Sequence, residues 1–99
     1  MSQTELDIQP GDTGGTYALS GEIDLHTAQQ IAEISTRPHG TIILDFAHVT
    51  FIDSIGIWAL VNLSRGLEGG ALVIRNTSGN VRQTFDLVDL SDAPGIVVE

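Results

Sequence analysis

The stretch Thr41–Leu63, TIILDFAHVTFIDSIGIWALVNL, constrains this chain more than any other. It opens with the continuous apolar run Ile42-Ile43-Leu44, the pattern of a buried strand. From Ile55 onward it is apolar nearly all round and long enough for a helix. Between the two, Phe51-Ile52-Asp53-Ser54-Ile55-Gly56 sets an aspartate and a serine where a helix N-cap is expected. A serine hydroxyl in that position lies beside unpaired backbone N–H groups and the positive end of the helix dipole. Such a place accommodates a phosphate, so Ser54 is suited to be a modified switch residue. The local pattern equally allows Ser54 or Asp53 to be no more than a cap.

The flanking sequence supplies the rest of a sheet. Glu5–Gln9 and Thr16–Ser20 alternate, with Leu6 and Ile8, then Tyr17 and Leu19, on one face; Pro10-Gly11-Asp12-Thr13-Gly14-Gly15 between them is dense in turn formers. An N-terminal antiparallel pair follows. Gly21-Glu22-Ile23-Asp24 leads into a helix expected over about 26–35, with Ala28, Ile31, Ala32 and Ile34 facing the core. Thr27 and Gln30 have capping-box spacing there, and Asp24 competes as the cap. Pro38-His39-Gly40 ends that helix before the buried strand begins. Past the second helix, which Gly66 and Gly69-Gly70 terminate, Ala71–Arg75 reads as a strand. Ser78-Gly79-Asn80 turns into a helix over Val81–Leu90, with Val81, Phe85 and Val88 as its core stripe. Asp92-Ala93-Pro94-Gly95 breaks the chain before a last strand at Ile96–Val98. The order β-β-α-β-α-β-α-β predicts an α/β fold with a mixed sheet, an N-terminal antiparallel strand pair and covering helices. With 99 residues, no linker and no repeat, the expectation is one domain over residues 1–99.

Two segments also carry a family resemblance. FIDSIGIWALV resembles the phosphorylatable-serine motif of bacterial anti-sigma factor antagonists, the small stand-alone members of the STAS domain family. Leu19–Ala28, LSGEIDLHTA, is similar to the Gly-Glu-hydrophobic-Asp loop that precedes the first helix in that family. The resemblance implies the STAS fold, with helices mainly on one face of the sheet and the motif serine at a helix start. It implies a partner-switching role: the unmodified protein binds an anti-sigma factor and so frees a sigma factor. That partner would be a serine kinase with a GHKL-type ATPase fold that phosphorylates Ser54, and a serine/threonine phosphatase would reverse the modification. One departure stands out. Many members have a second hydroxyl residue directly after the serine, whereas this chain has Ile55, which leaves Ser54 as the one phosphoacceptor of the motif. Small STAS domains also resemble cytoplasmic accessory subunits of lipid-transporting ABC complexes, which dock on a transport ATPase; there a threonine version of the motif is more usual.

Composition narrows the field of partners. Thirteen acids against four arginines and no lysine give a net charge of −9. Such a surface repels nucleic acid and anionic membranes, whose phosphates need Lys or Arg for neutralisation. No apolar run approaches the roughly 20 residues that cross a bilayer. MSQTELD lacks the basic-then-apolar order of a secretory signal. With no cysteine there is neither a disulfide framework nor a thiolate metal site. The expectation is a cytoplasmic protein acting through protein partners.

The candidate site residues are therefore Ser54 for phosphorylation, with Glu22, Asp24, Asp53, Ile55, Gly56 and Trp58 for partner binding. Asp53 fits capping and loop shaping. Gly56, in the first helical turn, leaves room either for a partner or for tight packing on the preceding strand. Trp58, the sole tryptophan, is an interface anchor if exposed and core if not. Glu22 and Asp24 belong to the other motif loop, which the resemblance brings near the serine. His26, His39 and His48 lack metal-ligand spacing, and His39 and His48 are expected in loops flanking the central strand. Ser-Ile-Gly is not a nucleophile elbow, and Gly11, Gly14 and Gly15 spell no phosphate loop. Neither intrinsic catalysis nor a cofactor is expected.

Overall fold

Strand β1 (Leu6–Pro10) and strand β2 (Thr16–Ile23) form the antiparallel pair, with Leu6 opposite Gly21 and Pro10 opposite Tyr17. The turn between them is pinned by Gly11 N–H donating to Thr16 O at 2.7 Å and Thr16 N–H donating to Thr13 O at 3.1 Å. The computed structural model describes residues 6–11, 13–34, 40–67, 69–90 and 93–99. Helix α1 (Ala28–Ile34), strand β3 (Ile42–Ile52), helix α2 (Ser54–Arg65), strand β4 (Leu72–Arg75), helix α3 (Gly79–Leu87) and strand β5 (Ile96–Val98) follow. The sheet runs β1-β2-β3-β4-β5, and β2 to β5 pair in parallel.

That order decides where the helices go. Each β-α-β connection adds its new strand on the same side of the last, and connections of one hand taken in one direction place every helix on one face. The burial pattern agrees. Leu6, Tyr17, Leu19, Ile42, Leu44, Phe46, Leu72, Ile74 and Ile96 are buried, while their neighbours Ala18, Ile43, Asp45, Val73 and Val97 are half-buried or exposed. Ile31, Ile34, Ile57, Leu60, Leu63, Val81 and Phe85 supply the helical side of the same core. Phe46 and Phe85 meet with ring centroids 5.9 Å apart and planes at 52°, a tilted aromatic contact that ties α3 to the central strand.

Several expectations shift. Strand β3 extends over eleven residues rather than stopping near Leu44, and His48 sits exposed within it, not in a loop. Asp45 and His48 pair with Ala18 and Ser20, and Val49 and Phe51 pair with Gly21 and Glu22, so β3 twice uses one residue more than β2. These two bulges break the period-2 alternation by which a strand is recognised. Helix α1 begins at Ala28, two residues later than expected, and Ala32 is exposed. Helix α3 ends at Leu87, so Val88 falls at its C-cap, half exposed, outside the core stripe of Val81 and Phe85. The expected helix stop at Pro38-His39 and the break at Asp92 lie outside the described residues. Among the described residues no helix is long and apolar enough to cross a membrane.

Candidate functional site

Strands β2 and β3 run side by side and end together, Ile23 opposite Ile52. The Asp53 N–H then donates to Ile23 O at 3.2 Å, so the loop leaving β2 and the start of α2 share one corner of the sheet. Parallel sheets bind their ligands at this end, outside the carboxyl termini of the strands. The two sequence motifs are thereby one surface.

Asp53 is the N-cap of α2. Its backbone is extended (φ −111°, ψ −174°), its Oδ1 accepts from Gly56 N–H at 2.9 Å, and its carbonyl accepts from Ile57 N–H at 2.9 Å. Ser54 is the first helical residue, not the cap. It is exposed, and its hydroxyl makes no hydrogen bond among the described residues. The local ambiguity between two caps is resolved: one residue holds the helix and its neighbour does not.

Gly56 faces inward. A Cβ there would stand 2.7 Å from Ile23 O and from Ile52 Cγ1, and 2.8 Å from Ile23 Cγ2. The room that Gly56 provides is taken by the ends of β2 and β3, so it seats the helix on the sheet and offers no surface of its own.

The β2–α1 loop is folded on two side chains. Asp24 Oδ1 accepts from His26 N–H at 2.9 Å and Thr27 N–H at 3.2 Å, and Asp24 O accepts from Ala28 N–H at 2.8 Å. Thr27, 2% exposed, donates its hydroxyl to Glu22 O at 2.7 Å and accepts from Asp24 N–H at 2.9 Å. The capping box with Gln30 does not form, since the Gln30 amide donates instead to Leu6 O at 2.7 Å. Asp24 and Thr27 thus fold the turn that leads into α1, and neither side chain accepts from a helical N–H of α1 among the described residues. Glu22, Asp24 and Asp53 each remain partly exposed, and none joins an ion pair among the described residues. The corner is a negative rim.

Exposed apolar side chains occur on the same elements. Leu25, Phe51, Ile55 and Trp58 are 67%, 42%, 42% and 55% exposed. Trp58 is thus not core. The Arg65 guanidinium lies 5.7 Å from its ring centroid, within cation–π range. Beside it a groove of about 270 Å³ runs between the two helices, lined by Ala28 and Ala32 on α1 and Ile55, Trp58, Ala59 and Leu63 on α2. Leu25 and Phe51 were not among the expected contact residues. Their signal was faint: a leucine one residue into a turn, and a phenylalanine beside a bulge. The hydroxyl of Ser54 has no hydrogen-bonded histidine or carboxylate among the described residues, the partner that a nucleophilic serine requires. The arrangement suits recognition, with an accessible acceptor hydroxyl set in a mixed acidic and apolar surface.

The STAS domain family model matches residues 3–97. The chain belongs to the STAS domain family. Its mixed sheet and the start of α2 at Ser54 agree with the fold that the resemblance implies. Among solved structures, this STAS domain is similar to the anti-sigma factor antagonist SpoIIAA in its unphosphorylated form, with 29% identity, 95% of this chain and 87% of that chain covered, and a TM-score of 0.73. SpoIIAA, the Bacillus cell fate determinant, in its phosphorylated form gives 28% identity, 95% and 90% coverage and a TM-score of 0.65. An anti-sigma factor antagonist from Mycobacterium paratuberculosis shares the fold at 24% identity, with 93% and 85% coverage and a TM-score of 0.69.

Proposed function

We propose that this STAS domain is an anti-sigma factor antagonist whose binding surface is switched by phosphorylation of Ser54. One observation carries the reading: Ser54 stands exposed at the first turn of α2, its hydroxyl uncommitted among the described residues, because Asp53 performs the capping. The likeness to SpoIIAA, a protein known in unphosphorylated and phosphorylated forms, supports it.

In this reading the whole chain acts as one cytoplasmic domain and is not itself an enzyme. Unmodified, the corner formed by Glu22, Asp24, Asp53, Ser54, Ile55 and Trp58 docks on an anti-sigma factor serine kinase of the GHKL ATPase type, which releases its sigma factor. The kinase brings ATP and magnesium; the γ-phosphoryl group passes to Ser54 Oγ, the hydroxyl proton is lost and ADP leaves. The product carries about −1.5 to −2 charges and three acceptor oxygens. It sits against the N–H groups of the first turn, which tolerate it, and beside three carboxylates, which do not offset it. The change is therefore felt at the contact surface: a bulky dianion excludes the partner sterically and repels its acidic groups. A metal-dependent serine/threonine phosphatase resets the surface.

The test is an affinity capture with wild type, Ser54→Ala and Ser54→Asp, read by mass spectrometry and followed by titration of the purified partner. A GHKL-type kinase retained by wild type and Ser54→Ala, and lost by Ser54→Asp, is the expected result. Retention of a transport ATPase by all three would instead place the domain with the accessory subunits of lipid transporters.

A further inference from the structure

We propose that Leu25 is an apolar anchor of the partner interface, held outward by a turn that Thr27 locks. The inference rests on the Ser54 reading above and names a contact residue that neither motif singles out.

Leu25 is an anomaly in its setting. Turn positions favour polar residues and glycine, yet here a leucine is two-thirds exposed. Its turn is not loose. Thr27 N–H donates to both Asp24 O (3.1 Å) and Asp24 Oδ1 (3.2 Å), and His26 N–H donates to the same carboxylate oxygen. The buried Thr27 hydroxyl bridges Glu22 O and Asp24 N–H from beneath. Five backbone groups are thus committed to keeping Leu25 at the crest.

Position supplies the occupant. The loop leaves β2 at Ile23, whose carbonyl holds the Asp53 N–H, so Leu25 and Ser54 flank one corner. Seven large apolar side chains are exposed among the described residues; of these, Leu25 on the loop after β2 and Ile55 beside Ser54 in the first turn of α2 stand at this corner. Around them lie Glu22, Asp24 and Asp53. An apolar centre in a charged rim is the anatomy of a protein–protein contact, and the same partner that reads Ser54 is the molecule that reaches Leu25. A rigid presentation matters because a pre-set anchor loses little freedom on docking. The partner accordingly presents an apolar hollow beside the place where it meets Ser54.

Since Leu25 is exposed, its replacement leaves the fold intact and gives a direct test. The probe is the purified kinase retained by wild type and Ser54→Ala. Leu25→Ala is expected to weaken its binding about tenfold and Leu25→Asp more, with Leu25→Met restoring most of the affinity and thermal unfolding unchanged throughout. In phosphorylation assays Leu25→Ala should raise the KM for this chain with kcat unaltered, because Leu25 does not touch the reacting atoms. Thr27→Val keeps the side-chain shape but frees the turn. It should weaken binding more when Leu25 is present than when Leu25 is already alanine, whereas Thr27→Ser should behave as wild type. Undiminished binding by Leu25→Asp, with Ser54→Asp still defective, would overturn the assignment and leave the switch standing. If Ser54→Asp also bound as wild type, both would fall.

Discussion

At the scale of the residue, Asp53 and Ser54 divide two tasks that local sequence could not separate. The Asp53 carboxylate satisfies a first-turn N–H, so Asp53→Ala should cost about 1 kcal/mol of stability. Ser54→Ala removes no bond among the described residues and should shift stability by less than about 0.5 kcal/mol. Urea unfolding of the two variants side by side checks this; equal losses would mean that the hydroxyl caps the helix after all. Gly56→Ala is the opposite case. Alanine gains up to about 1 kcal/mol of helix propensity over glycine, but its Cβ would press on Ile23 O and the Ile52 side chain at 2.7 Å. Overpacking of this kind costs about 1–3 kcal/mol, so a lowered midpoint is expected. The sequence left Gly56 open between room for a partner and tight packing on the preceding strand. It could not show against which surface, because that depends on where β2 ends.

At the scale of the element, the helices were easier to see than the central strand. Val81 and Phe85 gave α3 its period, yet the stripe does not extend to Val88, where the helix has already ended. Phe85→Ala should therefore cost about 3–5 kcal/mol, and Val88→Ala less than about 0.5 kcal/mol, as read by chemical denaturation. In β3 the two bulges scramble the alternation of Asp45-Phe46-Ala47-His48-Val49-Thr50-Phe51, so only its opening run Ile42-Ile43-Leu44 was legible. The same irregular stretch carries a titration. Asn76 Nδ2 donates to Asp45 Oδ1 at 3.0 Å and Ala47 N–H donates to it at 2.9 Å, and these bonds hold the carboxyl below its ordinary value of 3.8. The unfolded chain then binds the proton more readily, so the stabilisation is complete above that value and fades as pH falls through the lowered one. Unfolding midpoints for Asp45→Asn should fall less steeply than wild type below about pH 4, and should run parallel to wild type at neutral pH.

At the scale of the whole molecule, five strands added in one direction put all the helices on one side and gather β2, β3 and α2 at one corner. The alternation of elements announced this architecture, and the motif loops announced the corner. The exposure of Leu25 and Phe51 was not legible, because it arises from a turn locked through Thr27 and from a strand two residues out of step with its neighbour. Ser54→Asp, a stand-in for phosphate, should leave the melting temperature within a few degrees of wild type. Its amide chemical-shift changes should cluster at the first turn of α2 and the loop from Glu22 to Thr27; changes spread through the β1–β2 pair would mean that the charge reshapes the fold. The division between Asp53 and Ser54 has a last implication. The side chain proposed as the switch stands one peptide bond from the side chain that caps the helix. Under the proposed switch, a mark added at Ser54 and erased would open no hydrogen bond made by its hydroxyl among the described residues. The message and the paper it is written on wear independently.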